Sequence, residues 1–197
     1  LFTTRKNIRD YEWSIDEADQ LFEDISSTDD SNILELNTIT IIKATIDDKT
    51  QDKIGKSSEV YDVHDGQQRL ITLSLLLAAI RDSLDSKGCK EVADEIAKRI
   101  CPTSTRRTMK PVCRVNIRSN DAKILKIILS KKHVPSNEHL WIEEGTAVKD
   151  LLGKDSPLMP KKHWKRFRRY EQCMLGVYDN YLKRIRDLPE SEILELV

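Results

Sequence analysis

Aromatic side chains are scarce, at 6% of 197 residues. With 34% charged residues and a mean hydropathy of −0.52, the composition fits a helix-rich intracellular protein better than a β-sandwich. No apolar stretch reaches the roughly 20 residues that a membrane span needs, and the longest is interrupted at Arg69 and Arg81. No charged-apolar-small leader is present either. These absences predict a soluble, cytoplasmic protein without membrane contact. The four cysteines, Cys89, Cys101, Cys113 and Cys173, include no CxxC pair and no histidine at zinc-ligand spacing. They read as reduced, buried thiols rather than a metal knuckle. The sequence starts at Leu1 without methionine and stops inside the amphipathic run SEILELV, as expected of a piece of a longer chain.

The length suits one globular unit, with room for a helical appendage. A net charge of zero hides an asymmetry. Residues 1–65 hold 16 Asp+Glu against 7 Lys+Arg, and residues 66–197 hold the other 17 against 26. An acidic front and a basic back can attract each other within the fold, and a basic half also suits a polyanion such as nucleic acid.

Along the chain, Ser14 and Glu17 form an S-x-x-E capping box at the head of a helix whose Ile15, Ala18, Leu21, Phe22 and Ile25 share a face. Alternating, β-branched runs at 33–42 and 59–65 predict two strands. From Gln67 the period becomes helical. Leu70, Leu73, Leu77, Ile80 and Leu84 recur at three and four, Ile71, Leu75 and Leu76 widen the stripe, and Gly88 is placed to stop the helix. A second helix covers 90–100, with Val92, Ile96 and Ile100 inward. A strand at 112–118 leads into a helix capped by Ser119 or Asn120. Residues 131–160 read as loose, and a long helix from 161 carries Trp164, Phe167, Cys173 or Met174, Val177, Tyr181 and Ile185 on a core stripe.

The chemistry concentrates in Asp65-Gly66-Gln67-Gln68-Arg69. A strand ending in Asp-Gly and followed at once by a helix puts Gly66 where backbone can approach a ligand. It also leaves the amides of Gln67, Gln68 and Arg69 at a positive helix end. Such a place binds phosphates. Arg69 adds a bidentate donor, the two glutamines can orient a water or a phosphate oxygen, and Asp65 can hold Mg²⁺ or activate water. The structural alternative is an ordinary Asp-Gly turn in which Asp65 caps the helix and Arg69 pairs with an acid of the front half. A second cluster, Arg9, Tyr11 and Trp13, alternates along an extended segment. It can stack on a base or sugar-phosphate, or form a core lid with a structural arginine.

Taken in order, Arg9-x-Tyr11-x-Trp13, the capped helix ending in LFEDI, the strand in LNTITI and the run DGQQRLITLSLLLAAIRD from Asp65 to Asp82 resemble the N-terminal domain of GmrSD-type, modification-dependent restriction enzymes. That family's pattern is YQRxYxW, then GSI, then DGQQRLTTL. RVNIRSNDAKILKIIL resembles its later strand and helix more weakly. The resemblance implies an α+β domain of ParB/sulfiredoxin-like type, a small mixed sheet followed by a mainly helical region, divided here as residues 1–88 and 89–197. It implies binding and hydrolysis of an NTP (GTP, ATP or CTP) with Mg²⁺. Asp65, Gln67, Gln68 and Arg69 would be catalytic, Asp65 the metal partner, and Gly66, Arg9, Tyr11 and Trp13 would bind the nucleotide. A C-terminal HNH nuclease domain would follow in a full-length chain.

The sequence departs from the pattern at Asn7, Ile8, Asp10, Asn37 and Ile71. Asparagine in place of the usual glycine at 37 adds a side chain that would crowd a close approach of backbone to a pocket. These departures keep open a nucleotide-gated, ParB-like DNA-binding module without efficient turnover, and a degenerate domain in which the turn is only a helix cap. His64, His133, His139 and His163 form no HNH-like cluster. The basic run 161–169, with Lys161, Lys162, Lys165, Arg166, Arg168 and Arg169, offers a face for a DNA backbone or a solvated helix surface.

Overall fold

A computed structural model describes residues 2–4, 10–28, 36–45, 59–102, 113–116, 122–130 and 169–197. Four short strands form one mixed sheet: β1 (Phe2–Thr4), β2 (Thr40–Lys43), β3 (Tyr61–Asp65) and β4 (Val115–Asn116), in the order β2-β3-β1-β4. β3 runs antiparallel to β2 and parallel to β1, and β1 runs parallel to β4. The architecture is α+β. β2 starts later than the alternation over 33–42 predicts, because Asn37 takes φ 65°, a left-handed conformation that an extended ladder cannot pass through. Residues 33–35 lie outside the described region.

Ser14 caps α1 (Ile15–Ser26) as the sequence predicts. Its hydroxyl accepts from the Asp16 amide at 3.3 Å, and its own amide donates to Glu17 at 2.7 Å. Ala18, Leu21 and Phe22 are buried, whereas Ile15 is 43% exposed and drops out of the expected stripe. Gly66 alone separates β3 from α2 (Gln67–Ser86). α2 ends as a Schellman motif: the Cys89 amide reaches the Leu84 carbonyl at 2.9 Å, the Gly88 amide reaches Asp85 at 3.0 Å, and Gly88 takes φ 92°.

The remaining helices are α3 (Lys90–Ile100), α4 (Ala122–Ser130), α5 (Arg169–Arg186) and α6 (Glu190–Glu195). α2 packs against α3, α4 and α5 together. This explains why its buried set, Ile71, Leu75, Leu76, Ala78, Ala79, Ile80 and Leu84, is wider than a single stripe. Leu70, Leu73 and Leu77 are only partly buried. In α3, Ala93 rather than Val92 joins Ile96 and Ile100 inside. Met174, Val177, Tyr181 and Ile185 of α5 are sealed from water as expected. The predicted cap at Ser119 or Asn120, the segment 131–160, and Trp164 and Phe167 lie outside the described residues. Among the described residues no helix is long and apolar enough to cross a membrane.

Among the described residues two charged side chains are buried, Arg81 and Asp179, and Arg81 lies the deeper. Arg81 is 2% exposed. Its Nε and Nη2 donate to the two oxygens of Asp82 at 3.0 and 3.1 Å, and its Nη1 and Nη2 donate to the Leu129 and Ile128 carbonyls at 2.8 and 2.9 Å. Those carbonyls belong to the last turn of α4, so the guanidinium serves as that helix's C-terminal cap. Tyr178 of α5 donates its hydroxyl to Asp82 from the other side.

Two outcomes follow from this core. Arg81→Met leaves the Asp82 carboxylate and the end of α4 without their donor, and chemical denaturation should register a loss of about 3–5 kcal/mol. Burial first of all pushes the Tyr11, Tyr178 and Tyr181 hydroxyls well above the ordinary tyrosine range. Above about pH 10 the unfolded chain therefore sheds protons that the native state keeps, and stability falls as pH rises. Phenolate absorbance during an alkaline titration should show these three ionising together with unfolding.

Candidate functional site

The turn between β3 and α2 depends on a backbone conformation. Gly66 takes φ 81° and ψ 12°, in the left-handed region, and occupies the N-cap position of a 20-residue helix. A Cβ at this position would lie 2.9 Å from Ile39 Cγ1 and 3.2 Å from the Ile39 Cα. Glycine is needed both for the torsion and for the close approach of the 36–39 segment. Asn37, two residues before Ile39, is itself left-handed. Asparagine tolerates that region better than most residues, so the position where the family pattern has glycine keeps its conformation here with a side chain added.

Asp65 does not cap α2. Its Oδ1 accepts from the Gly66 amide at 2.8 Å, and Gly66 at the N-cap brings no side chain of its own to the helix end. The first turn holds no acid, and the helical ladder begins with the Leu70 amide donating to the Gly66 carbonyl at 3.0 Å. Among the described residues Arg69, half-buried, forms no ion pair. The capped helix and paired arginine of the structural alternative are thus absent from the described region. Asp65 and His64 are both exposed at the end of β3, and Gln67 is buried at the head of α2.

Gln68 is engaged at both ends of its carboxamide. Oε1 accepts from the Glu12 amide at 2.9 Å, and Nε2 donates to the Asp10 carbonyl at 2.7 Å. The side chain thus holds the 10–12 segment as a neighbouring strand would, instead of presenting its amide to a water or a phosphate. One turn later, Thr72 donates to the Gln68 carbonyl at 2.9 Å and lies 2.7 Å from the Tyr11 hydroxyl. Since the single Thr72 proton is used on Gln68, Tyr11 is the donor in that pair. Tyr11 is 2% exposed, a core residue whose hydroxyl is satisfied internally, and Trp13 is partly buried against the same core. The sequence leaves Tyr11 and Trp13 between a stacking surface and a core lid. Their burial gives them the lid's geometry. Arg9 lies outside the described residues, as do Lys161, Lys162, Lys165, Arg166 and Arg168. Arg169, the first residue of α5, is exposed.

Sequence reasoning missed Thr72 and Ile39. The i, i+4 spacing of Gln68 and Thr72 was the available signal for the first, since it puts both on one helix face. Nothing local marks Ile39. The departure at Asp10 becomes intelligible, because only its carbonyl is used and proline supplies the same group. Ile71 is fully buried beside Thr72, where an apolar side chain is at home.

For a divalent cation the turn offers one carboxylate. Among the described residues no group of three or more His, Cys, Asp or Glu side chains converges. That donor set suits Mg²⁺ carried by phosphate oxygens and water with a single protein ligand, not a self-sufficient metal cage.

Gly66→Ala must strain the torsion and displace Ile39, whereas Gly88→Ala strains only a torsion, with nothing within 4 Å of the added carbon. Thermal melts should show the larger loss for Gly66→Ala, the torsion alone costing about 1–2 kcal/mol in each.

A search of curated proteins gave no match. The sequence profile of a family described as the GmrSD restriction endonuclease, N-terminal domain, matches residues 9–193. The match takes in the Asp10–Glu12 segment, the left-handed turn and the helices packed on α2. This chain belongs to the GmrSD restriction endonuclease N-terminal domain family.

Proposed function

We propose that the Asp65–Arg69 turn seats the phosphates of a nucleoside triphosphate, and that this domain binds and hydrolyses it as the regulatory part of a GmrSD-like, modification-dependent DNA restriction protein. The observation that carries the reading is the start of α2. A long buried helix opens at a left-handed glycine with no side-chain cap and no acid in its first turn, and a guanidinium without an ion pair among the described residues stands one turn in. A phosphate suits this end of the helix: it brings a counter-charge for the helix dipole, which the first turn does not supply with an acid, and a bidentate partner for Arg69.

In this reading Gly66 lets the backbone approach, Arg69 binds phosphate oxygens, and Gln67 lines the buried side of the seat. Asp65, with one oxygen tied to the Gly66 amide, has the other to hold Mg²⁺ or to accept a proton from water. Magnesium, when bound, would neutralise phosphate charge. Gln68, Tyr11 and Thr72 act by fixing the 10–12 segment across the first turn. The family's name places a DNA-cleaving activity in such proteins, and a nuclease domain elsewhere in a longer chain would supply it. The basic stretch 161–169 offers DNA a surface.

A second reading, a nucleotide-gated, ParB-like DNA-binding module without efficient hydrolysis, is favoured by one observation. Gln68 is committed to backbone and cannot orient a water while it holds the strap, so the turn has fewer groups for chemistry than its sequence suggests.

Phosphate release with GTP, ATP and CTP in the presence of Mg²⁺ separates the two. Turnover that falls on the order of 10²-fold in Arg69→Ala is expected, and turnover unchanged by that substitution removes the assigned role. Nucleotide that raises the melting temperature and prolongs retention on DNA without releasing phosphate selects the gated module. No rise in melting temperature with any of the three at millimolar concentration overturns the phosphate seat.

A further inference from the structure

Two of the four cysteines lie together in the interior, away from the turn. Cys101 follows the last residue of α3, and Cys113 stands two residues before β4. Each is 6% exposed. Their sulfurs are 2.9 Å apart, and both are free thiols, within about 1 Å of the covalent S–S length of roughly 2.05 Å. The backbone holds the pair in place. The Cys101 amide donates to the Ala97 carbonyl at 2.8 Å, the Arg114 amide to the Ile100 carbonyl at 2.9 Å, and the Arg114 carbonyl accepts from the Phe2 amide at 2.6 Å. The end of α3 is thereby pinned beside the start of β4, with one thiol on each side of the contact. Cys89 and Cys173 are differently placed: the former lies against the Glu190 carboxylate and the latter near Arg169.

The geometry points to Cys101 and Cys113 as a reversible dithiol–disulfide site, oxidised by a small peroxide, whose closure staples α3 to β4 across residues 102–112. In the first step the sulfur of one cysteine, as thiolate, attacks a peroxide oxygen. The S–O bond forms, the O–O bond breaks, and the departing hydroxide takes up a proton as water. In the second step the other sulfur attacks the sulfenic sulfur. The S–S bond forms, the S–O bond breaks, and a second water leaves with the remaining thiol proton. Two thiols are oxidised by two electrons and one peroxide is reduced to two waters. A thiol reductant reverses the link by exchange.

The bond shared with Cys101, and then burial, push the Cys113 thiol up. Cys113 therefore stays protonated at neutral pH, and the buried pair reacts slowly with bulky disulfides. A small uncharged peroxide is the oxidant suited to such a place. The closed ring would contain thirteen residues, including the basic Arg106, Arg107 and Lys110, and would restrict the unfolded chain accordingly.

The test treats the whole chain with hydrogen peroxide, removes the excess, unfolds it, alkylates free thiols and maps tryptic peptides. The expected product is lighter by two hydrogens, carries two alkyl groups in place of four, and joins peptide 100–106 to peptide 108–114. Dithiothreitol should restore four alkylation sites, and Cys113→Ser should abolish the linked species. The oxidised form should melt about 5–10 °C higher than the reduced form. Four alkylated cysteines after peroxide, or a link through Cys89 or Cys173, overturns the site. A correct link with an unchanged melting temperature overturns the staple. If Cys113→Ser fails to fold, the map of the unsubstituted chain decides alone.

Discussion

The buried guanidinium of Arg81 is the constraint around which the helical part of this domain is organised. A charge carried into a core costs several kcal/mol unless its donors are met, and here Asp82 and the two terminal carbonyls of α4 meet them. Because Tyr178 of α5 completes the Asp82 carboxylate, the network fixes α4 and α5 against α2 at one level. A purely apolar layer at that height would let the helices slide over one another. The angular demands of the guanidinium do not, and they set where the opposite end of α2 comes to rest.

At that opposite end the same helix meets the sheet through a single residue. Gly66 and Asn37 are both left-handed, and Ile39 fills the space between their chains. The glycine carries that torsion without steric cost, and Asn37 carries it at a modest one. The 10–12 segment, clasped by Gln68, lies beside the first turn of α2, while Asp65 stays exposed at the end of β3 and Arg69 half-buried one residue beyond Gln68.

What could be read from the sequence was local. The Ser14 capping box, the strand predicted at 59–65 and found at 61–65 running into a helix at Gln67, and the stop at Gly88 each depend on residues close together in sequence, and each is present in the structure. The resemblance that placed the chain in its family rested on the same short runs. What could not be read depends on distant partners. Arg81 looked like an interruption in an apolar run, because its acceptors are 47 and 48 residues away. Gln68 looked like a chemical group, because the backbone it holds lies 56 and 58 residues earlier. The strand Phe2–Thr4 has no alternation to betray it, and Ile15 sits on the right face of its helix yet remains 43% exposed. For Arg9 and the basic stretch up to Arg168 the described residues add nothing to the sequence.

The sheet has its own schedule. β1, made of residues 2–4, lies between β3 and β4, pairing Phe2 with Tyr61 on one side and with Val115 on the other. In chain order the first of the described strands is therefore an inner one, and its second partner is synthesised 113 residues later. At typical elongation rates that is a wait of about 6–20 s, during which α1, α2 and α3 can already be complete. The sheet thus closes late, around a strand made well before the partner that completes it.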